Sequence, residues 1–395
     1  MSAGLRAGYK QTEVGVIPED WDARDIGNDI DLLTGFPFPS SGYSDSGVRL
    51  LRGSNVKRGK TDWADDITQC WPAIAQDIVR YELRVNDLVI AMDGSLVGRS
   101  SAQLSAEDLP ALLLQRVARI RSTKKLDVSY LAAFVAGDWF INHADSVKTV
   151  TAIPHISPAD IRSFTIPIPP TIKEQRAIAA ALNDVDALLG GLDRLIAKKR
   201  DLKQATMQQL LTGQTRLPGF SGEWEVKRLG DVLKVRHGRS QHEVAVAGGI
   251  YPILATGGEI GRSNAFLYDK PSVLIGRKGT IDKPQYQDSP FWTVDTLFYT
   301  ELFDSVHPKF IYFKFLLIDW RSYNEASGVP SLNASTIESI EIVVPDLDEQ
   351  TAIATILFDM DVELAALEAR RDKTRALKQG MMQELLTGRI RLLAN

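Results

Sequence analysis

Two groups of basic and amide side chains are of the types that bind DNA. The first group is Arg49, Arg52, Asn55, Lys57 and Arg58, in a stretch (residues 46–60) without aspartate or glutamate. The second group is Arg236, Arg239, Gln241, Arg277 and Lys278. Arginine can donate two hydrogen bonds to guanine, an amide can pair with adenine, and lysine or arginine neutralises phosphate. We therefore predict DNA contacts at both groups; the alternative is that they are only solvated surface charge.

Sequence motifs for catalysis are absent. There is no Gly-x4-Gly-Lys-Ser/Thr phosphate loop and no Asn/Asp-Pro-Pro-aromatic motif of amino-methyltransferases. The single cysteine, Cys70, excludes an internal disulfide framework and a cysteine-rich zinc site. The formal net charge of −4 does not by itself indicate DNA binding, so the local basic groups carry that prediction. We expect no catalytic residue, no metal site and no bound cofactor in this chain.

The chain contains an internal repeat. Residues 173–217 align without a gap with residues 348–392, and about half of the aligned positions are identical. The shared motifs are Glu-Gln at 174–175 and 349–350, and Leu-Leu-Thr-Gly at 210–213 and 385–388. The regions between the repeated segments diverge. This pattern predicts one scaffold used twice, for two different targets.

Each repeated segment predicts one long helix. Both begin with capping-box residues and end at a glycine: Thr171, Glu174 and Gly213 in the first copy, and Asp346, Glu349 and Gly388 in the second. Apolar residues recur at alternating steps of four and three, the spacing of a coiled-coil seam. They are Ile178, Leu182, Val185, Leu189, Leu192 and Ile196 in the first helix, and Ile353, Leu357, Met360, Leu364 and Leu367 in the second.

Two near-identical helices can pair antiparallel about a pseudo-two-fold axis. The alternative is that each helix packs onto its own globular domain.

The divergent regions predict mixed α/β domains. Strand-like runs are Leu88–Ala91, Val117–Ile120, Ser272–Ile275 and Leu297–Tyr299, and helix-like runs are Ser129–Phe140 and Pro308–Ile318. Short helices are expected to begin after Ser157 and Asn333. The predicted fold class is therefore α/β, with two similar domains joined by two long helices that form an antiparallel coiled coil. The predicted segments are recognition domains at 1–170 and 214–345, helices at 171–213 and 346–388, and a tail at 389–395.

The order of these features resembles the specificity subunit of type I restriction–modification enzymes across essentially the whole chain. The resemblance lies in a tryptophan-containing start (Lys10–Trp21), a divergent region, Pro-Pro-x-x-x-Glu-Gln, a long helix and Leu-Leu-Thr-Gly, followed by a second round. The second copy departs by having Pro345-Asp346 where the first has Pro169-Pro170-Thr171.

This resemblance implies a non-catalytic DNA-recognition subunit. Each divergent domain would bind one half of a bipartite, asymmetric site in double-stranded DNA. The helices would space the domains and dock two methyltransferase subunits, which restriction subunits then join. S-adenosylmethionine, ATP and magnesium would be used by those partners. The composition and the absence of an apolar leader or span favour a cytoplasmic protein.

Two other classes of function remain open from the sequence. One is a self-contained enzyme such as a methyltransferase fused to a recognition domain, against which the missing catalytic motifs argue. The other is a structural or decoy protein that occupies methyltransferase subunits without reading DNA. The divergence of the two interiors and their basic loops argue against that second class.

Overall fold

The structure is a computed structural model and describes residues 7–392. The chain divides into two compact units: unit 1 is Met1–Gly191 with Asp372–Asn395, and unit 2 is Leu192–Arg371. Both long helices are therefore divided between the units. Residues 1–6 of the predicted first domain and residues 393–395 of the predicted tail lie outside the described residues. The domain boundaries at 170, 213, 345 and 388 stay predictions.

In unit 1, a series of short strands is followed by short helices, a last strand and the first long helix. Its strands are β1 (Tyr9–Thr12), β2 (Gly15–Pro18), β3 (Asp22–Asp25), β4 (Asp31–Thr34), β5 (Val48–Leu51), β6 (Gln69–Trp71), β7 (Leu88–Ala91), β8 (Ser101–Gln103), β9 (Ala111–Leu113), β10 (Val117–Arg121) and β11 (Thr165–Ile168). Its short helices are α1 (Val128–Val135), α2 (Asp138–Val147) and α3 (Pro158–Arg162), and the first long helix, α4 (Ile172–Leu211), follows β11.

Unit 2 repeats most of this order. Its strands are β12 (Glu225–Arg228), β13 (Leu233–His237), β14 (Tyr251–Ala255), β15 (Gly258–Ser263), β16 (Ser272–Gly276), β17 (Gln285–Gln287), β18 (Trp292–Thr293), β19 (Leu297–Leu302) and β20 (Glu341–Val344). Its helices are α5 (Pro308–Leu317) and α6 (Ala334–Ser339), and the second long helix is α7 (Leu347–Leu385).

The sheets correspond one to one between the units, apart from the β1–β2 hairpin, which is recorded in unit 1 only. A four-stranded antiparallel sheet has the order β4-β10-β7-β8 in unit 1 and β13-β19-β16-β17 in unit 2. A three-stranded sheet has the order β6-β5-β9 and β15-β14-β18, and its last two strands are parallel in both units. The strand before the long helix pairs with the strand that directly follows the first tryptophan of its unit (Trp21 or Trp224), as β11-β3 and β20-β12.

A central strand of each four-stranded sheet is buried on both faces. All four residues of β7 and all five of β16 are buried, as expected for a strand covered on both sides. In unit 1, Leu88 and Ile90 join a core that contains Trp21, Phe134 and Phe140, while Val89 and Ala91 face a second core on the other side of the sheet. In unit 2 the equivalent core contains Phe310 and Trp320. The four predicted strand-like runs are confirmed.

The long helices pair antiparallel within each unit. In unit 2, Lys203 binds Asp361 while Asp193, farther back along α4, meets Arg371, farther forward along α7 (Asp193 Oδ1 to Arg371 Nη1, 4.0 Å). In unit 1, Lys378 Nζ lies 2.7 Å from Asp186 Oδ1. The predicted α/β class with antiparallel helices is confirmed.

The predicted seam residues are buried to different extents. Ile178 and Leu182 belong to the core of unit 1, and Ile353 and Leu357 to the core of unit 2. Leu192 and Ile196 are also buried. The others are partly exposed: Val185, Leu189, Met360, Leu364 and Leu367. Each helix therefore packs onto its own domain near its start and meets the other long helix beyond it. The predicted coiled coil and the alternative, packing onto a globular domain, each describe part of the helix.

One predicted helix is wrong as a single element. Ser129–Phe140 is two helices, α1 and α2, separated at Ala136 and Gly137. Gly137 has an extended backbone (ψ −179°) and is the N-cap of α2, so the first helix cannot continue through it. The helix starts after Ser157 and Asn333 are confirmed: both side chains accept a hydrogen bond from the first turn of the helix that follows.

Candidate nucleic-acid interface

A buried glutamate anchors each long helix to the start of its domain. In unit 2 the fully buried Glu349 carboxylate accepts two hydrogen bonds from Arg216 (2.7 and 2.6 Å) and one from Trp224 Nε1 (3.1 Å). The Arg216 guanidinium lies 5.6 Å from the centre of the Trp224 ring. These hydrogen bonds raise the pKa of Arg216 above its usual range. The anchor therefore joins α7, the segment after α4 and the first tryptophan of the domain.

Unit 1 has the equivalent anchor with two differences. Arg391 binds the buried Glu174 carboxylate through Nε and Nη2 and also donates to Asp20 (2.9 and 3.0 Å). Hydrogen bonds to Glu174 and then Asp20 raise the pKa of Arg391 above its usual range. Trp21 lies beneath this guanidinium, 5.6 Å from ring centre to Cζ. Its Nε1 has no recorded acceptor, whereas Trp224 Nε1 donates to Glu349.

These contacts correct the predicted capping boxes. The first half of each box is present, because the Thr171 and Asp346 side chains accept the backbone N–H of Glu174 and Glu349. The glutamate side chains, however, bind Arg391 and Arg216. A buried carboxylate is more strongly stabilised by a bidentate guanidinium than by one backbone N–H.

The glutamine of each Glu-Gln pair joins the long helix to the start of a short helix in its unit. Gln175 Oε1 accepts from the backbone N–H of Asp127 (2.8 Å), the N-cap of α1. Gln350 Oε1 accepts from the backbone N–H of His307 (2.8 Å), the N-cap of α5. Each glutamine Nε2 donates to the carbonyl of a proline in the segment before the long helix, Pro169 in unit 1 and Pro345 in unit 2. The Glu-Gln motif is therefore a structural anchor in both units.

Two loops lie side by side at one end of the four-stranded sheet of unit 1. The first follows β7 and contains Met92 and Gly94; the second precedes β10 and contains Arg116. Met92 N–H donates to Arg116 O (2.9 Å), and Gly94 N–H donates to Pro154 O (3.0 Å). Ile156 N–H in turn donates to Met92 O (2.8 Å). Gly94 has a φ of +97°, a conformation that favours glycine.

Unit 2 has the same loops with the same hydrogen bonds. Arg277 N–H donates to Thr296 O (2.8 Å), and Gly279 N–H donates to Pro330 O (2.8 Å). Leu332 N–H donates to Arg277 O (2.9 Å). Gly279 again has a positive φ, +90°. We call this set of three backbone hydrogen bonds the loop framework. At equivalent positions of this framework, unit 1 has Asp93 where unit 2 has Lys278, and unit 1 has Arg116 where unit 2 has Thr296.

The first predicted group divides into held and exposed side chains. Arg49 donates to the carbonyls of Glu107 (2.8 Å) and Leu109 (3.2 Å) and stacks over Trp63. Asn55 is fully buried; its Oδ1 accepts from Arg52 N–H, and its Nδ2 donates to Asp62 O. A DNA contact by Asn55 would require both of these hydrogen bonds to break.

The remaining members of the first group are closer to solvent. Arg52 and Lys57 line a cleft of about 410 Å³. Lys57 Nζ is 3.8 Å from Asp62 Oδ2, with both side chains 40% exposed. Arg58 is exposed. These three stay predicted DNA contacts.

The second predicted group is mostly exposed. Arg236 Nη2 is 2.8 Å from Glu301 Oε2, and the hydrogen bond to Glu301 raises the pKa of Arg236. Arg239 is exposed, with its backbone N–H on Thr293 O. The rest of the group lies in loops, with Gln241 and Arg277 partly exposed and Lys278 exposed.

Sequence reasoning placed Asp93 in a DNA-facing loop, where it could accept a hydrogen bond from cytosine, but it missed Gln115 and Arg116, which share the unit 1 cleft with Arg52. Asp93, Gln115 and Arg116 line both this cleft and an adjoining one of about 520 Å³, which also includes His155. Arg116 Nη1 is 2.8 Å from Asp93 Oδ2. The sequence signal for this cleft was Asp93, which stands beside the glycine that unit 1 has at 94 and unit 2 has at 279.

Comparison with known proteins identifies the family to which this chain belongs. The family model described as type I restriction modification DNA specificity domain matches residues 83–197 and again residues 221–374. Together these matches cover more than half of the chain, which therefore belongs to this family of DNA specificity proteins. The sequence-based resemblance is confirmed.

Individual relatives are named as specificity subunits of type I restriction enzymes. The specificity subunit of the type I restriction enzyme EcoAI of Escherichia coli is 31% identical over 197 residues, 49% of this chain and 32% of that subunit. The MjaVIII specificity subunit of Methanocaldococcus jannaschii is 28% identical over 222 residues, 54% of this chain and 50% of that subunit. The chain thus spans half or less of the length of these two relatives. The putative MjaX specificity subunit of the same archaeon is 24% identical, with 97% of both chains covered. All three names denote the specificity subunit, in agreement with the prediction of a non-catalytic component.

Solved structures share the fold. The S subunit of a type I restriction–modification system from M. genitalium superposes with a TM-score of 0.68 at 18% identity, covering 97% of this chain and 98% of that one. A chain from a structure of type I R-M complex assembly gives a TM-score of 0.54 at 17% identity, covering 95% and 99%. Within residues 7–392, no helix is long and apolar enough to cross a membrane. The same residues contain no cluster of three or more His, Cys, Asp or Glu suited to a metal ion.

Proposed function

We propose that this chain is the DNA-recognition subunit of a type I restriction–modification enzyme and that each unit reads one half of a bipartite, asymmetric site. The observation that carries the proposal is the loop framework, which is the same in both units while its side chains differ. Asp93 in unit 1 stands where unit 2 has Lys278, and Arg116 stands where unit 2 has Thr296. Side chains that differ on a shared backbone are what two different half-sites require.

The chain itself would supply binding and no catalysis. S-adenosylmethionine, ATP and magnesium would be used by the partner subunits, and the complex would act in the cytoplasm. Exposed basic side chains such as Arg58 and Arg239 would neutralise phosphates and set the register on the duplex. Base discrimination would come from the loops at the end of the four-stranded sheet in each unit.

The long helices would dock two methyltransferase subunits, through which restriction subunits join. Apolar side chains outside the seam support this part of the proposal. On α4, Leu195 and Leu202 are 40% and 50% exposed; on α7, Phe358 and Val362 are 41% and 52% exposed. Exposed apolar side chains on a helix are typical of a surface that a partner covers. Because both long helices carry them, we expect two methyltransferase subunits for each chain.

Methylome sequencing tests the function directly. A host without other DNA methylation would express a methyltransferase subunit of the same system with or without this chain. We expect methylation at one bipartite motif only when the chain is present. Methylation by the methyltransferase subunit at the same motif in its absence would contradict the proposal, as would methyl transfer by the purified chain alone. Native mass spectrometry at saturating methyltransferase supply tests the docking, since a limit of one such subunit per chain would contradict it.

A further inference from the structure

Arg116 has a backbone conformation that arginine rarely adopts. Its φ is +68°, in the left-handed region, and the only other non-glycine residue of the described chain with positive φ is Asn86. Asparagine is enriched in that conformation, whereas arginine is not. Its neighbours fix it: Arg116 O accepts from Met92 N–H, and Val117 N–H, next in the chain, donates to Leu114 O (3.3 Å). Such conformations concentrate at binding and active sites.

The guanidinium of Arg116 is oriented but still accessible. Its Nη1 binds Asp93 Oδ2 at 2.8 Å, and the Asp93 side chain is only 22% exposed while that of Arg116 is 67% exposed. One edge of the guanidinium therefore contacts a half-buried carboxylate, and the rest remains open to solvent. An arginine held in this way loses less side-chain entropy on binding than a free one.

The surroundings of this pair form a concave surface of polar groups. Gln115, Arg116 and Asp93 line two adjoining clefts of about 520 and 410 Å³, with Arg52 and Lys57 at the second and His155 at the first. Arg52 and Lys57 add positive charge beside the held arginine, which suits a polyanionic ligand with polar edges.

We propose that Arg116, positioned by Asp93, reads a guanine in the half-site bound by unit 1. Arginine donates two hydrogen bonds to O6 and N7 of guanine, the most frequent specific contact in the major groove. Unit 2 keeps the loop framework without this pair, since Lys278 replaces the aspartate and Thr296 replaces the arginine. The two half-sites therefore differ at the base pair under this loop. This inference rests on the proposed function and adds the residue that distinguishes one base.

The test uses the full chain in complex with its methyltransferase subunits. Variants Arg116→Asn and Arg116→Gly both suit a positive φ, so the loop keeps its backbone. Asp93→Asn removes the carboxylate that holds the guanidinium. Matched controls are Lys124→Gln, an exposed charge beyond the opposite end of β10, and Lys278→Gln in unit 2. Motifs come from methylome sequencing, and affinities from competition between duplexes that differ at one base pair.

We expect both Arg116 variants to lose discrimination at one G·C pair of the first half-site by about 5- to 150-fold. Asp93→Asn should lose a smaller part of the same discrimination, at the same base pair, because the guanidinium remains but is no longer held. Asp93→Glu should restore part of it. Lys124→Gln should change neither half, and Lys278→Gln should leave the first half unchanged.

Three results would overturn the inference while leaving the proposed function intact. The first is an unchanged first half-site in both Arg116 variants. The second is a uniform loss of affinity for all duplexes with a salt slope smaller by about 1, the behaviour of a phosphate contact. The third is loss of all binding by both variants at an unchanged melting temperature. Failure of the wild-type complex to methylate any specific motif would instead reject the proposed function.

Discussion

The two units agree in the contacts that hold a long helix to its domain and differ in the loops that carry exposed charge. Glu174 and Glu349 both bind an arginine, and Gln175 and Gln350 both bind an N-cap backbone. The loop framework is equally shared, but it consists of backbone hydrogen bonds. Because such bonds do not depend on side-chain identity, the loops can change their charge without losing their geometry. Side-chain contacts are kept where they support the fold.

The largest expected effect comes from breaking the anchor of one unit. Arg391→Ala leaves the buried Glu174 carboxylate without its guanidinium, and we expect the free energy of unfolding of unit 1 to fall by about 4 kcal/mol. Arg216→Ala should act in the same direction in unit 2 but less strongly, since Trp224 Nε1 still donates to Glu349. Urea denaturation followed by hydrogen exchange in each unit measures the difference. Arg389→Ala, which removes an exposed arginine paired with Glu384, is the control. Equal losses in the two units would contradict the role given to Trp224.

A smaller effect should depend on pH and appear in unit 2 only. Lys314 is buried, donates to Leu211 O, and burial lowers its pKa to about 8 from 10.5. Below pH 8 Lys314 is protonated in both the folded and the unfolded state, so the folded state bears the full penalty of burying the charged ammonium group. Above pH 10.5 Lys314 is neutral in both states, and this penalty is absent. Between these values the unfolded state binds more protons, so stability rises with pH, by about 3 kcal/mol in total.

Unit 1 has an apolar residue at the position equivalent to Lys314. Counted from the N-caps Asp127 and His307, the position of Lys314 in unit 2 is that of Phe134 in unit 1. Denaturation of the wild type and of Lys314→Met from pH 7 to 10.5 isolates the contribution of this lysine. Their difference in stability should grow in favour of the wild type as pH rises. A constant difference would contradict the lowered pKa.

The smallest expected effects separate Arg58 and Arg239 from two arginines whose guanidiniums bind other groups of the protein. Arg58→Ala and Arg239→Ala should each reduce the slope of log affinity against log salt by about 1, with the motif unchanged. Arg49→Ala and Arg236→Ala should leave the slope unchanged, because those guanidiniums bind backbone carbonyls or Glu301. Titration of one cognate duplex at several salt concentrations measures all four. Equal slopes for the two sets would mean that pairing within the protein does not decide which of these four arginines neutralise phosphate.

Local patterns predicted several elements correctly but did not predict the anchors. The apolar run Leu88–Ala91 predicted β7 with its observed bounds, since a strand buried on both faces is apolar throughout. The capping boxes were predicted from a spacing of three residues, but the partners of the glutamates lie 133 and 217 residues away. Periodicity reports only local neighbours. The repeated Thr-Gly-x-x-Arg at 212–216 and 387–391 was the available signal, because it pairs one arginine with each Glu-Gln.

The candidate interface was predicted less well than the fold. Arg49 and Asn55 have the residue types of DNA contacts, yet their polar atoms bind the protein itself. Arg116 was missed because its significance depends on a left-handed backbone and on Asp93 in another loop. Residue type identifies what a side chain can bind. Only the path of the backbone determines whether it is free to do so.

The anchor of unit 1 also fixes the order in which the chain can mature on the ribosome. Every residue of unit 2 lies within Leu192–Arg371, so that unit has all its parts before synthesis reaches residue 372. Unit 1 begins first, but its Glu174 carboxylate meets Arg391 only 217 residues later. At about 5–20 residues per second this is a wait of roughly 10–40 s. The half of the protein that is translated first is therefore completed last.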